Sequence, residues 1–238
     1  MRNLCLAAFL VLLAGCGAEQ KANEARLAAL EEQVKKIDEL QVTIARRTGL
    51  GALVRPAAVP FDDGHVIGNP DAPIVIMEFT DLQCPFCAKF HQDTFPELKA
   101  QFIDTGKVVF VGRDFPLINT HKQAGYAAVA LRCGRTQVDY TEFKQYLFDN
   151  MGKLVPEDVT AKVVELGGQA EAHDACMQNR DLHAAVQQSF QFAMELGLPS
   201  TPSFLVGVND KQKVKDFQVV SGAGTVEQFA EIINKLAQ

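Results

Sequence analysis

The chain has 238 residues, of which 47% are hydrophobic, 22% charged and 8% aromatic, a globular composition that excludes a disordered or low-complexity protein. Its 23 basic and 29 acidic residues give a net charge of −6 with no Lys/Arg-rich run, so nucleic acid is excluded as the default partner. Six cysteines are too few for a disulfide-dense miniprotein but enough for one redox site and one staple.

Arg2 precedes an apolar run from Leu4 to Ala14. That run is too short to span a bilayer and has the size of a signal-peptide core. It ends in Leu13-Ala14-Gly15-Cys16, which resembles the lipobox of bacterial lipoproteins. The resemblance implies cleavage after residue 15, lipid on Cys16, and residence in the cell envelope facing the periplasm. With Gly17 in place of Asp, the same resemblance implies the outer membrane slightly over the inner. The alternative is an ordinary secretory signal whose cysteine is incidental.

A helical stalk is expected over residues 16–47. Its part from 18 to 47 has no Gly or Pro, and Leu27, Leu30, Val34, Ile37, Gln41 and Ile44 repeat at steps of three and four. That is an a/d seam, which favours self-association of copies through residues 18–47. The alternative is an amphipathic helix packed on its own domain. Residues 48–61, punctuated by Gly49, Gly51, Pro56 and Pro60, read as a linker. The catalytic domain is expected over 62–238, beginning with a short extended piece near His65 to Gly68.

Pro73 to Phe79 is a β-branched apolar run that reads as a buried strand. A helix follows to about Thr105, stopped by Gly106, and then a second strand from Lys107 to Arg113. Residues 120–196 read as a helical insertion with breaks near Gly134, Gly152, Pro156 and Gly167. Ser203–Val208 and Phe217–Ser221 are expected strands flanking a turn at Asn209-Asp210. Thr225 is expected to cap a final helix ending near Leu236.

Cys84-Pro85-Phe86-Cys87 stands between the first buried strand and its helix. A Cys-x-x-Cys in that context is a redox signature. Cys84 lies at the helix N-terminus, where unpaired N–H groups and the helix dipole favour its thiolate. Cys84 is therefore the expected nucleophile. Cys87, one turn on, is the expected resolving cysteine. Pro85 suits the first helical turn, where its missing N–H costs nothing.

These residues, with Gly68-Asn69-Pro70-Asp71-Ala72-Pro73, Glu78, the helical insertion and Leu198-Pro199-Ser200-Thr201-Pro202-Ser203-Phe204, resemble the DsbA-like thiol–disulfide oxidoreductases. The resemblance covers residues 62–238 and implies an α/β thioredoxin-like fold with an inserted helical subdomain. It implies that Thr201-Pro202 is a cis-proline loop facing the cysteines and that substrate chains bind there and at Pro85 and Phe86. It implies that Glu78 is a buried carboxylate beneath Cys87, acting as its proton acceptor. It also implies a structural disulfide between Cys133 and Cys176, with two buried free thiols as the alternative. Phe86 departs from the histidine found there in many oxidant members, so the potential is not readable within the known range of about −270 to −120 mV.

Three functional readings stand beside one another. The favoured one is a dithiol oxidase that forms disulfides in exported cysteine-containing proteins and is recharged by a membrane redox partner. It needs no cofactor beyond the Cys84–Cys87 disulfide. The second is a stalk-joined isomerase or reductase. The third is of another class: a copper- or zinc-binding lipoprotein using Cys84, Cys87 and His91 near one helix face, or a non-catalytic partner-binding lipoprotein. A closed zinc site needs four ligands and only one Cys-x-x-Cys is present, so no metal site is expected. His65, His121, His173 and His183 show no functional pattern, and His91 reads otherwise as a solvated helix residue.

Overall fold

The computed structural model describes residues 54–238 throughout and, before them, most positions from 23 to 50. The expected signal segment 1–15, the lipidation site Cys16, and parts of the stalk and linker lie outside the described residues. The chain forms two compact units, Met1–Val54 and Arg55–Gln238. No helix among the described residues is long and apolar enough to cross a membrane.

In the first unit the described residues between 23 and 45 are helical (α1). Along it Leu27, Leu30, Val34, Ile37, Leu40 and Ile44 are each more than half exposed. An apolar helical stripe of this length is unfavourable in water unless something covers it.

The second unit is built on a six-stranded mixed sheet in the order β1-β6-β5-β3-β4-β2. Its strands are β1 (Ala58–Pro60), β2 (His65–Ile67), β3 (Ile74–Thr80), β4 (Val108–Asp114), β5 (Ser203–Asn209) and β6 (Lys213–Ser221). β3 and β4 run parallel, while every other neighbouring pair is antiparallel. β3 and β4 are buried along their whole length, as strands covered on both faces must be. Alternation divides them between two cores. Ile74, Ile76, Phe110 and Phe204 face one side with Phe90, Phe95 and Phe229. Val75, Met77, Phe79, Val111 and Leu205 face the other with Ala193 and Leu196. Glu78 continues the Ile74–Ile76 row, so period two alone aims it beneath the helix that starts at Cys84.

That helix runs through α2 (Pro85–Lys89), a π turn at Phe90–Thr94, α3 (Phe95–Leu98) and a second π turn at Lys99–Ile103. Pro96 has no N–H for the helix ladder. The chain absorbs it by widening the preceding turn, where Phe95 N–H bonds to Phe90 O. The expected single helix therefore survives its proline. The insertion resolves into α4 (Ala124–Gly134), α5 (Tyr140–Asp149), α6 (Pro156–Glu165), α7 (Ala170–Met177) and α8 (Arg180–Glu195). Asp139 and Asn179 cap α5 and α8, and Pro156 opens α6. Thr225 accepts from Gln228 N–H at the start of the last helix, α9 (Val226–Leu236), as expected.

Two expectations need correction. The stretch 48–61 is not linker throughout, because Ala58–Pro60 pairs with Lys213–Lys215 of β6 as an outer strand. Pro60 is tolerated there because an edge strand need not donate on its free side, and Val59 is fully buried. β6 begins four residues earlier than expected, at Lys213. Lys211 and Gln212 take positive φ values of 52° and 61°, closing the hairpin tightly, and a register shift between Val206 and Val208 lets pairing continue.

Cys133 and Cys176 are joined in a disulfide that ties α4 to α7 across 43 residues. On the chain-entropy relation, a loop of that length is worth about 4 kcal/mol. Replacing both cysteines by alanine should lower the urea midpoint correspondingly. An unchanged midpoint would show that the bridge constrains nothing in the unfolded chain.

Candidate active site

β3 ends at Thr80, and the loop Asp81-Leu82-Gln83 delivers Cys84 to the N-cap of α2. The inserted helices close over this point: Cys84, Cys87 and Ala88 are buried with Leu82, Leu131, Phe143 and Leu147. Phe86 is 62% exposed beside them. The Thr201–Pro202 peptide is cis, as the resemblance implied, and the Cys84 thiol donates to Thr201 O at 3.3 Å. Thr201 Oγ1 is buried with no partner of its own, and is placed to turn toward a thiolate at Cys84.

The two cysteines are electrostatically unlike. Cys84 is held down to about 6 by the Cys87 thiol, against the opposing effect of burial, with further help from Thr201 and the N–H groups of Cys87 and Phe86. Cys87 is pushed well above its ordinary value, first by burial, then by Cys84 and the nearby Glu78 charge. Asp81 N–H points at Cys87 Sγ at 3.5 Å. This asymmetry gives a readily ionised nucleophile at Cys84 and a resolving thiol at Cys87 that ionises reluctantly.

Glu78 is fully buried. His91 Nε2 lies 2.9 Å from its Oε1 and Lys144 Nζ lies 2.7 Å from its Oε2. Burial would raise its carboxyl, but His91 and Lys144 outweigh that and bring it to about 2. His91 is itself pushed down by burial against the pull of Glu78, whereas Lys144 is held up by Glu78 against the opposing effect of burial and carries the steadier positive charge. Lys144 reaches in from α5 because Glu78 lies opposite Gly112 in the sheet. A Cβ at Gly112 would stand 2.6 Å from Tyr140 Oη, so glycine leaves room for the helix that carries both Tyr140 and Lys144.

The reading of His91 as a solvated residue is overturned, since the π turn places it inside, against Glu78. The metal alternative loses its third ligand by the same contact. Among the described residues no group of three His, Cys, Asp or Glu side chains is placed to hold a metal ion. Lys144 carried a signal in the sequence. Tyr140, Phe143, Leu147 and Phe148 form the buried stripe of α5, and Lys144 lies on it. A lysine in an apolar stripe needs a buried partner. Asp81 and His121, joined at 2.8 Å, are a further pair without a motif to announce them.

A thioredoxin family model matches residues 61–235. The chain belongs to the thioredoxin family. Within that family it is similar to DsbA-type thiol–disulfide oxidoreductases. A Rickettsia conorii protein provisionally named a protein-disulfide oxidoreductase is 30% identical over 151 residues, 61% of this chain and 53% of that one. The chain thus spans about half the length of that curated relative. Wolbachia pipientis α-DsbA1 is 27% identical with a TM-score of 0.64, covering 75% of this chain and 92% of that one. Oxidised BdbD of Bacillus subtilis shares the fold, with a TM-score of 0.61 at 23% identity, covering 76% of this thioredoxin-family chain and 98% of that one.

The half-buried imidazole of His65 and the buried one of His91 give the fold a pH dependence. His65, stacked on Tyr140 at 3.8 Å, is lowered from 6.5 to about 4 by burial, Arg135 and Lys144. His91 is lowered by burial as well. A base whose folded pKa is depressed stays neutral in the fold while the unfolded chain takes up the proton. Stability is therefore full above about pH 6.5 and falls as acid carries the pH toward 4. Glu78 adds a second loss between 4.5 and about 2, again because only the unfolded chain binds the proton there. Denaturant midpoints measured from pH 8 to 3 should trace both windows, and His65→Phe should flatten the upper one. A midpoint constant from pH 7 to 4 would contradict the assignment.

Proposed function

We propose that the protein is a dithiol oxidase of the cell envelope that passes the Cys84–Cys87 disulfide to cysteine pairs in exported proteins. The observation that carries this reading is the place of Cys84 at the N-cap of α2, where the Cys87 thiol and the first N–H groups of the helix hold it down to about 6. A stabilised thiolate favours the reduced form of the pair, which makes its disulfide a stronger oxidant. The reaction is balanced within sulfur chemistry. A substrate thiolate attacks Cys84 Sγ, the Cys84–Cys87 bond breaks, and its electron pair leaves on Cys87. A second substrate thiolate then attacks the mixed disulfide and releases Cys84. No bound cofactor is needed, and a membrane redox partner would reoxidise the pair. Phe86, Pro85, Thr201 and Pro202 would receive the substrate chain. Lipid on Cys16 would hold the enzyme at a membrane, the outer one favoured.

One observation supports a second reading, a self-associated isomerase or reductase. The α1 stripe from Leu27 to Ile44 is exposed, and a second copy of the same helix would cover it. The two readings differ in the resting state of the cysteines. Cells quenched in acid and alkylated with a heavy maleimide should contain mostly oxidised Cys84–Cys87 if the protein is an oxidase. A mostly reduced pair would replace that reading with the isomerase or reductase, and deletion of 18–47 would then remove its activity.

A further inference from the structure

Asp81 is the hub of the loop that carries the cysteines. Its side chain is fully buried, and a buried carboxylate must be satisfied by donors. It has three: Gln83 N–H at 2.7 Å, Leu117 N–H at 2.7 Å and His121 Nδ1–H at 2.8 Å. Two are main-chain groups, and His121 is the only side chain among the three. The main chain of Asp81 serves both cysteines. Its carbonyl accepts from Cys84 N–H at 3.1 Å and its N–H points at Cys87 Sγ at 3.5 Å. The neighbouring Gln83 side chain ties the same loop to Met151 O at 2.7 Å and to Gln123 N–H at 2.5 Å. One residue thus has its carboxylate anchored on the β4–α4 connection and its amide aimed at the buried sulfur.

We propose that His121 and Asp81 form a positioning couple that holds the Asp81 N–H on Cys87, and so sets how readily negative charge develops on that sulfur. This deepens the thiol–disulfide exchange proposed above and rests on it. When substrate opens the Cys84–Cys87 bond, the electron pair goes to Cys87. When Cys87 closes it again, its thiolate attacks Cys84 Sγ and the pair leaves on the substrate sulfur. In both directions the charged sulfur at the inner end is Cys87, and the Asp81 amide is the donor that meets it. A hydrogen bond to a charged group strengthens as the charge appears. Its aim depends on the Asp81 carboxylate being held, and His121 is the side chain that holds it from outside the loop. His121 acts through Asp81 and touches no reacting atom.

The test uses the intact chain and glutathione as the probe. The Cys84 thiolate of the reduced protein attacks oxidised glutathione, forming the Cys84–glutathione mixed disulfide and releasing one glutathione thiolate, and the rate of closure by Cys87 is followed as the second glutathione is released. Iodoacetamide alkylation of Cys84 over a pH series serves as the control. His121→Ala should close roughly tenfold more slowly, while Cys84 alkylation and its pH midpoint stay within about twofold of wild type. His121→Asn, whose amide N–H can reach Asp81 from nearly the place of Nδ1, should restore closure to within about threefold. If His121→Ala does not fold, Asp81→Asn and Asp81→Asn/His121→Leu form a second comparison, and a double variant markedly slower than the single would overturn the proposal. The single variant should close slowly, and the double no more slowly than the single. Closure by His121→Ala at the wild-type rate would overturn the proposal. So would equal slowing in His121→Ala and His121→Asn, or parallel slowing of Cys84 alkylation, each of which marks general loosening. A wild-type chain that forms no mixed disulfide would overturn the exchange chemistry itself, whereas normal wild-type exchange with insensitive variants would overturn only the couple.

Discussion

Cys87→Ser will hold its substrate proteins as mixed disulfides through Cys84, and Cys84→Ser will hold none. The difference follows from ionisation. With Cys84 at about 6, roughly nine-tenths of it is thiolate at pH 7, against about 3% for an ordinary thiol. Cys87, pushed well above its ordinary value, contributes almost no thiolate. An incoming disulfide is therefore attacked by Cys84, and an incoming thiolate meets Cys84 as the less deeply buried sulfur of the pair. Serine at 87 keeps a hydroxyl donor where the Cys87 thiol helped hold Cys84 down, so the first step stays open, and it removes the group that would undo it. Serine at 84 removes the first step, and exchange should fall by at least about a hundredfold. The check is a nonreducing gel of envelope proteins from cells expressing each variant, with adducts collapsing on reduction. Adducts on Cys84→Ser but not on Cys87→Ser would reverse the assignment of nucleophile and resolving thiol.

What was legible in the sequence was what local rules control. Ile74 to Thr80 is β-branched and apolar, so β3 follows directly. Pro85 after Cys84 marks a helix start, and Thr225 marks another. The cis geometry at Pro202 was legible only through resemblance, since no local rule separates it from the other X–Pro bonds. What stayed hidden depends on distant partners. β1 is three residues ending in proline, and it is a strand only because β6 offers an open edge. His91 stands seven residues after Cys84, so its sharing of a helix face with the cysteines was visible. That its Nε2 would meet Glu78 was not. Asp81 and His121 are 40 residues apart, and nothing in either neighbourhood points to the other. The apolar stripe of α5 did mark Lys144, but its partner lies 66 residues away.

The Glu78–Lys144 pair yields the second large effect, and it separates two roles for Glu78. A buried ion pair with one member removed leaves an uncompensated charge, which typically costs about 3–5 kcal/mol. Lys144→Met should destabilise the protein by about that much. Glu78→Gln/Lys144→Met should recover most of the loss, because neither charge is then left alone. The consequence for Cys87 is sharper. Glu78 raises Cys87 by its charge, and Lys144 is near enough for the Cys87 charge to act on it. If the pair acts as a field, Glu78→Gln lowers the Cys87 pKa and speeds its attack on Cys84, while Lys144→Met raises it and slows that attack. A one-unit move of that pKa changes the thiolate population about tenfold. If Glu78 instead takes the Cys87 proton, Glu78→Gln slows the attack. A carboxyl held below its ordinary value by its buried cationic neighbours is a poor acceptor for a thiol pushed well above its ordinary value, so the electrostatics favour the field. Closure rates of the Cys84–glutathione mixed disulfide in the two single variants decide the matter. Opposite signs establish the electrostatic role, and slowing in both establishes Glu78 as the base.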